Sequence, residues 1–140
     1  MRLWALICAS FPLLANASSA EFNSVKTLAE LNQAIANARE KHEPVMLDFT
    51  ATWCAPCKRM ERTTFTDPAV RAVLAQFVLL RVDVTRNSME DQALLQRFGA
   101  QGPPLMAFFD AQGHELKKCQ LNGFTAAVEF KQHVDACRKR

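Results

Sequence analysis

An α/β fold, with a mixed central sheet covered by helices on both faces, is predicted by three features of the 140-residue sequence. Segments of helical periodicity alternate with short apolar runs from Thr27 to Phe109. The run from Pro44 to Ala51 is nearly continuous in apolar residues, as in a strand covered on both sides. Asp110-Ala111-Gln112-Gly113 reads as a hairpin turn, which makes the last two strands antiparallel. A chain of this length has room for one substantial core. Alternation closed by a hairpin gives a layered mixed sheet.

The first twenty residues differ in kind. Arg2 gives a positive start, Leu3 to Leu14 an apolar stretch, and Ala15-Asn16-Ala17 or Ser18-Ser19-Ala20 a small-residue cleavage site. Residues 1–20 are therefore expected to be a secretory signal peptide, cut after Ala17 or Ala20, leaving 21–140 as the domain. The apolar stretch is shorter than the ~20 residues a membrane span needs, and Pro12 interrupts it. Cys8 leaves with the signal, since Ile7 is too bulky for a lipoprotein signal.

Val25, Leu28, Leu31, Ile35 and Ala38 recur at helical spacing and predict a helix from Thr27 to Lys41. Val45 to Phe49 follows as a strand with one acid, Asp48, inside it. A helix then opens at Trp53-Cys54-Ala55-Pro56-Cys57, with Pro56 tolerated in its first turn. Thr66-Asp67-Pro68 caps a helical segment from Ala69 to Gln76, and Phe77 to Asp83 is the next strand. Ser88 caps a helix from Met89 to Phe98 that Gly99 ends. Pro103 and Pro104 mark a turn before the strand from Leu105 to Phe109. After the hairpin turn a strand is expected from Glu115 to Leu121, and Thr125 to Ala136 reads as a last amphipathic helix.

The net charge of +3 is spread without a basic block, which argues against nucleic acid as a partner. Chemistry is concentrated in Cys54-Ala55-Pro56-Cys57. A thiolate at the amino end of a helix meets unpaired N–H groups and the positive end of the helix dipole, which favour its charged form. A second thiol three residues on reaches a mixed disulfide formed on the first. These positions assign Cys54 as nucleophile and Cys57 as resolving thiol. Desolvation of Asp48 within a buried strand would raise its pKa and fit it for proton exchange near neutrality. Of the other cysteines, Cys119 and Cys137 are left to pair with each other, to stay free or to join a metal site. Alternation along the last strand gives Cys119 and Leu121 one face, so a structural disulfide to Cys137 is possible, although the length of the last helix counts against it. His42, His114 and His133 carry no ligand spacing and receive no role.

The apolar strand with its acid, Trp53-Cys54-x-x-Cys57 and the loop Gly102-Pro103-Pro104 resemble the thioredoxin family. Within it, the chain is similar to the carboxy-terminal periplasmic domains of DsbD-type reductases. The residues that carry this likeness include Leu47-Asp48-Phe49, Lys58, Glu61, Thr64 to Val70, Val82-Asp83-Val84-Thr85, Phe108-Phe109-Asp110-x-x-Gly113-x-Glu115 and Gly123-Phe124. The resemblance implies a thioredoxin fold and a periplasmic thiol:disulfide oxidoreductase acting chiefly as a disulfide reductase. It implies proton transfer by Asp48, pKa tuning of the thiols by Glu61, a cis peptide bond at Pro104, and a substrate surface formed by Trp53, Pro103 and Pro104. No cofactor beyond the cysteine pair is implied. The expected partners are misoxidised periplasmic proteins or apocytochrome c as clients and a DsbD-type membrane electron donor, with the domain itself a monomer. An oxidase or isomerase is the alternative within the class. A zinc site built from Cys54, Cys57, Cys119 and Cys137, or a non-catalytic binding module, are the alternatives outside it.

Overall fold

The computed structural model describes residues 20–139. The signal peptide expected over residues 1–20 lies, but for Ala20, outside the described residues. Ten principal elements follow in the order β1 (Asn23–Ser24), α1 (Leu28–Glu40), β2 (Val45–Thr50), α2 (Ala55–Thr63), α3 (Pro68–Leu74), β3 (Val78–Asp83), α4 (Met89–Arg97), β4 (Leu105–Phe109), β5 (Leu121–Asn122) and α5 (Ala127–Arg138), with a single 3₁₀ turn at Lys117–Cys119. The five strands form one sheet in the order β1-β3-β2-β4-β5. β3 runs parallel to both β1 and β2, whereas β4 is antiparallel to β2 and β5.

Helix starts are set by side chains that satisfy free backbone donors. The Thr27 hydroxyl accepts from the Glu30 N–H, and Asp67 accepts from the N–H groups of Ala69 and Val70. Ser88 and Asp91 form a reciprocal capping box on α4. Gly99, at φ +64°, takes the left-handed conformation just beyond the end of that helix.

All six residues of β2 are buried, which places this strand at the centre of the molecule. Its side chains alternate between two core layers. Val45, Leu47 and Phe49 pack with Leu31 and Ala38 of α1 and Leu94 and Leu95 of α4. Met46 packs with Met106 and Phe108 of β4, Val70 and Leu74 of α3, and Phe130 and Val134 of α5. α2 serves both layers, placing Cys57 in the first and Met60 in the second. Among the described residues no helix is long and apolar enough to cross a membrane.

The structure corrects the strand expected from Glu115 to Leu121. Glu115 makes one isolated bridge to Phe109, the chain then turns at Lys117–Cys119, and β5 is only Leu121–Asn122. The consecutive lysines supply the reason. In an extended strand Lys117 and Lys118 would point to opposite faces, one of them into the layer under α5, whereas the turn leaves both exposed. The same turn buries Cys119 and joins it to Cys137 of α5, with a Cα–Cα distance of 6.0 Å. The length mismatch between strand and helix therefore does not arise, because Cys119 does not sit in a strand. β1 was not foreseen: two polar residues at a sheet edge carry no periodicity to read.

Candidate functional site

β2 delivers the chain to one end of the sheet, and Cys54 caps α2 there. Cys54 and Cys57 are joined in a disulfide, and each is only 4% exposed. The Cys57 N–H points at Cys54 Sγ, 3.3 Å away. That donor, with the dipole of α2, favours negative charge on the Cys54 sulfur once the bond is opened. Cys57 Sγ lies 3.9 Å from the Phe49 carbonyl oxygen, a group that can only accept. In the reduced state the carbonyl favours a protonated Cys57, so the two sulfurs differ in charge preference although only three residues separate them.

Around the cysteines the loops present one exposed aromatic and two prolines. Trp53 is 59% exposed, and its indole N–H donates to the Thr85 carbonyl oxygen at 3.1 Å. The adjacent Thr52 N–H donates to the Thr85 hydroxyl at 2.9 Å, and Thr85 in turn is held by Asp83. Trp53 is therefore a tethered surface residue and not core. The Pro103–Pro104 peptide bond is cis. Pairing of Phe49 with Leu105 brings the start of β4, and the prolines before it, to the same end of the sheet as the cysteines.

Beneath this end lies a charged network. Asp48 sits opposite Arg81 in the β2–β3 register. Its Oδ2 accepts from Arg81 Nε at 2.8 Å and Nη2 at 2.7 Å. Arg81 Nη1 is 3.6 Å from Glu61 Oε1, which also accepts from the Thr50 hydroxyl at 3.2 Å. Lys58 pairs with the other oxygen of Glu61 at 3.2 Å, and the Phe22 ring stacks 4.1 Å from the Arg81 guanidinium carbon. Burial pushes Asp48 up to about 6, because the loss of solvent outweighs the charge and hydrogen bond of Arg81, and Glu61 adds a smaller upward push.

The structure thus brings Asp48 and Glu61 together through Arg81, which the sequence reading missed. A signal was present: Arg81 interrupts the apolar run of one strand as Asp48 interrupts the other. The four cysteines do not converge. Cys54 and Cys57 belong to the layer under α1 and α4, Cys119 and Cys137 to the layer under α3 and α5. One zinc ion cannot take all four in this arrangement. Among the described residues no group of three or more His, Cys, Asp or Glu side chains is placed to hold a metal.

The thioredoxin-like family model matches residues 26–111. The thiol:disulfide interchange protein DsbD of Vibrio vulnificus is 46% identical over 120 residues, 86% of this chain and 20% of that protein. DsbD of Ralstonia nicotianae is 50% identical over 109 residues, 78% of this chain and 18% of that protein. The chain therefore spans about a fifth of the length of the curated relatives it matches. Among solved structures, the oxidised carboxy-terminal domain of Neisseria meningitidis DsbD superposes with a TM-score of 0.72 at 33% identity, covering 83% of this chain and 100% of that one.

Proposed function

We propose that this chain, which belongs to the thioredoxin-like family and within it to the group of DsbD carboxy-terminal domains, is a thiol:disulfide oxidoreductase working chiefly as a disulfide reductase. The observation that carries the reading is the Cys54–Cys57 disulfide at the amino end of α2. The Cys54 thiolate attacks one sulfur of a client disulfide, forms a mixed disulfide and expels the client's other sulfur as a thiolate. Cys57 then yields its proton to the Asp48 carboxylate and attacks Cys54 Sγ. The mixed disulfide breaks, the client leaves with two electrons, and the Cys54–Cys57 bond re-forms. A carboxyl titrating at about 6 is mostly ionised at pH 7 yet basic enough to take that proton. Glu61 acts through Arg81, competing with Asp48 for the guanidinium.

The chain works in the periplasm on this reading, exported by residues 1–20 and re-reduced by a membrane electron carrier of the DsbD type. Its clients are misoxidised secreted proteins or apocytochrome c. No bound cofactor takes part, because the electrons reside in the cysteine pair. The reduction potential of that pair is the test, measured against defined thiol/disulfide buffers in a variant lacking Cys119 and Cys137. A value near thioredoxin's ~−270 mV is expected, whereas one near the ~−120 mV of DsbA would make the chain a disulfide donor.

Trp53, Pro103 and Pro104 form the surface that receives the client strand. Pro103 has no N–H to donate to that strand. A crystal structure of a Cys57→Ser variant trapped with a client peptide is expected to lack one main-chain hydrogen bond at Pro103. An unbroken backbone ladder there would refute this assignment.

A further inference from the structure

The Cys119–Cys137 pair is surrounded by more than a structural cross-link requires. A cavity of about 380 Å³ opens at the end of the sheet away from Cys54, where β2 and β3 begin and β4 ends. Cys137 lines it, together with the aromatic side chains of Phe77 and Phe108 and, at its polar side, Asp110 and Arg138. Cys119 is not among the lining residues. His133, one turn before Cys137, has Nε2 2.7 Å from the Cys119 carbonyl oxygen and 3.7 Å from Cys137 Sγ. A carbonyl oxygen can only accept, so Nε2 carries a proton, and the same N–H lies beside the sulfur. An N–H beside a sulfur stabilises the thiolate left on Cys137 when that residue is expelled from a mixed disulfide.

We propose that Cys119–Cys137 is a second redox-active disulfide, opened through this cavity by a low-molecular-weight thiol bearing an amine and a carboxylate. An incoming thiolate attacks Sγ of Cys137, the cysteine of the pair that lines the cavity. A bond forms between the two sulfurs, the Cys119–Cys137 bond breaks, and its electron pair leaves on Cys119, which takes a proton from solvent. A second thiolate then attacks the small thiol's own sulfur and expels Cys137 as a thiolate held by His133. Two thiols become one small disulfide, and the protein gains two electrons in two cysteines. A small thiol is the fitting reductant, because Cys137 is only 7% exposed and lies in a recess. A folded protein's dithiol buried like Cys54 and Cys57 could not bring sulfur to sulfur there. Arg138 and Asp110 match the carboxylate and the ammonium of an amino-acid-like thiol.

The test uses the mature chain with Cys54 and Cys57 both replaced by serine, so that only the second pair responds and failure of the reading at the first site does not enter. Folded protein is incubated with reduced glutathione and then alkylated without denaturant. Intact mass and peptide maps are expected to show a labelled thiol at Cys137, appearing at a rate that rises with glutathione. In the reduced protein, His133→Phe is expected to slow alkylation of Cys137 about tenfold at neutral pH, and His133→Gln, which keeps an N–H donor, to restore most of it. If His133→Phe does not fold, the glutathione titration decides alone. A Cys137 thiol that reacts only after guanidinium is added would overturn the proposal and leave the pair a structural cross-link. First attack at Cys119, seen as a glutathione adduct on that residue in peptide maps of the early reaction, would overturn it too.

Discussion

Cys54→Ser is expected to lower the rate of disulfide reduction by at least about 10³-fold, because a hydroxyl at neutral pH supplies almost no anion to attack a disulfide. The structure gives no reason for the fold to suffer. The loop closed by this disulfide spans only three residues of sequence separation, so its removal releases little chain entropy. The core around position 54 is furnished by β2 and α4 whether or not the bond is present. Cys57→Ser should behave differently. Cys54 still attacks, since its sulfur keeps the dipole of α2 and a backbone N–H as stabilisers. The mixed disulfide then persists for want of a resolving thiol. Release of a quenched, disulfide-linked peptide measures the first effect, and non-reducing electrophoresis of the trapped adduct measures the second. A Cys54→Ser protein that still released the peptide at an undiminished rate would place the chemistry elsewhere and leave this segment a binding module.

The parts of the site that lie close in sequence were legible, and those joined by register were not. Cys54, Cys57 and the helix they open are fixed by local spacing, and Asp48 announces itself as one acid in an apolar run. The partner of Asp48 depends on how β2 and β3 align, 33 residues apart, a fact set by burial of both strands as a whole. The same limit hid β1, whose place is given by its pairing with β3 and by nothing in its own two residues. Between Glu115 and Leu121 the reading failed for a different reason. The hairpin turn forms where the sequence predicts it, with Asp110 accepting from the N–H groups of Gln112 and His114. A turn nonetheless obliges only the first bridge to form, and beyond it the solvation of two lysines and the burial of Cys119 decided the path. The largely polar neighbours of His133 in sequence give no sign that its ring packs 6.2 Å from Phe108 in the folded chain.

Asp48→Asn is expected to separate stability from activity. Folding raises the carboxyl from 3.8 to about 6, so the folded state favours the protonated form. The stabilisation tied to this group is then fully present below pH 3.8 and is lost as pH rises through about 6. A shift of this size corresponds to about 3 kcal/mol, with little discount for solvent because the side chain is 4% exposed. Asparagine mimics the neutral acid at every pH. Denaturant titrations should therefore show the variant gaining about 3 kcal/mol relative to the parent between pH 3 and pH 7.5. Activity should move the other way. Without a carboxylate to take the Cys57 proton, resolution of the mixed disulfide should slow about 10²-fold near neutrality, at the lower end of what a positioned base contributes. The dependence of that step on a group titrating at about 6 should vanish as well. The two effects come from one cause, a charge kept in a core where Arg81 only partly offsets its desolvation. A variant that resolved at the parental rate would make Asp48 a partner of Arg81 and nothing more. A relative stability that did not change with pH would mean instead that the carboxyl titrates at its ordinary value, with Arg81 fully offsetting the loss of solvent.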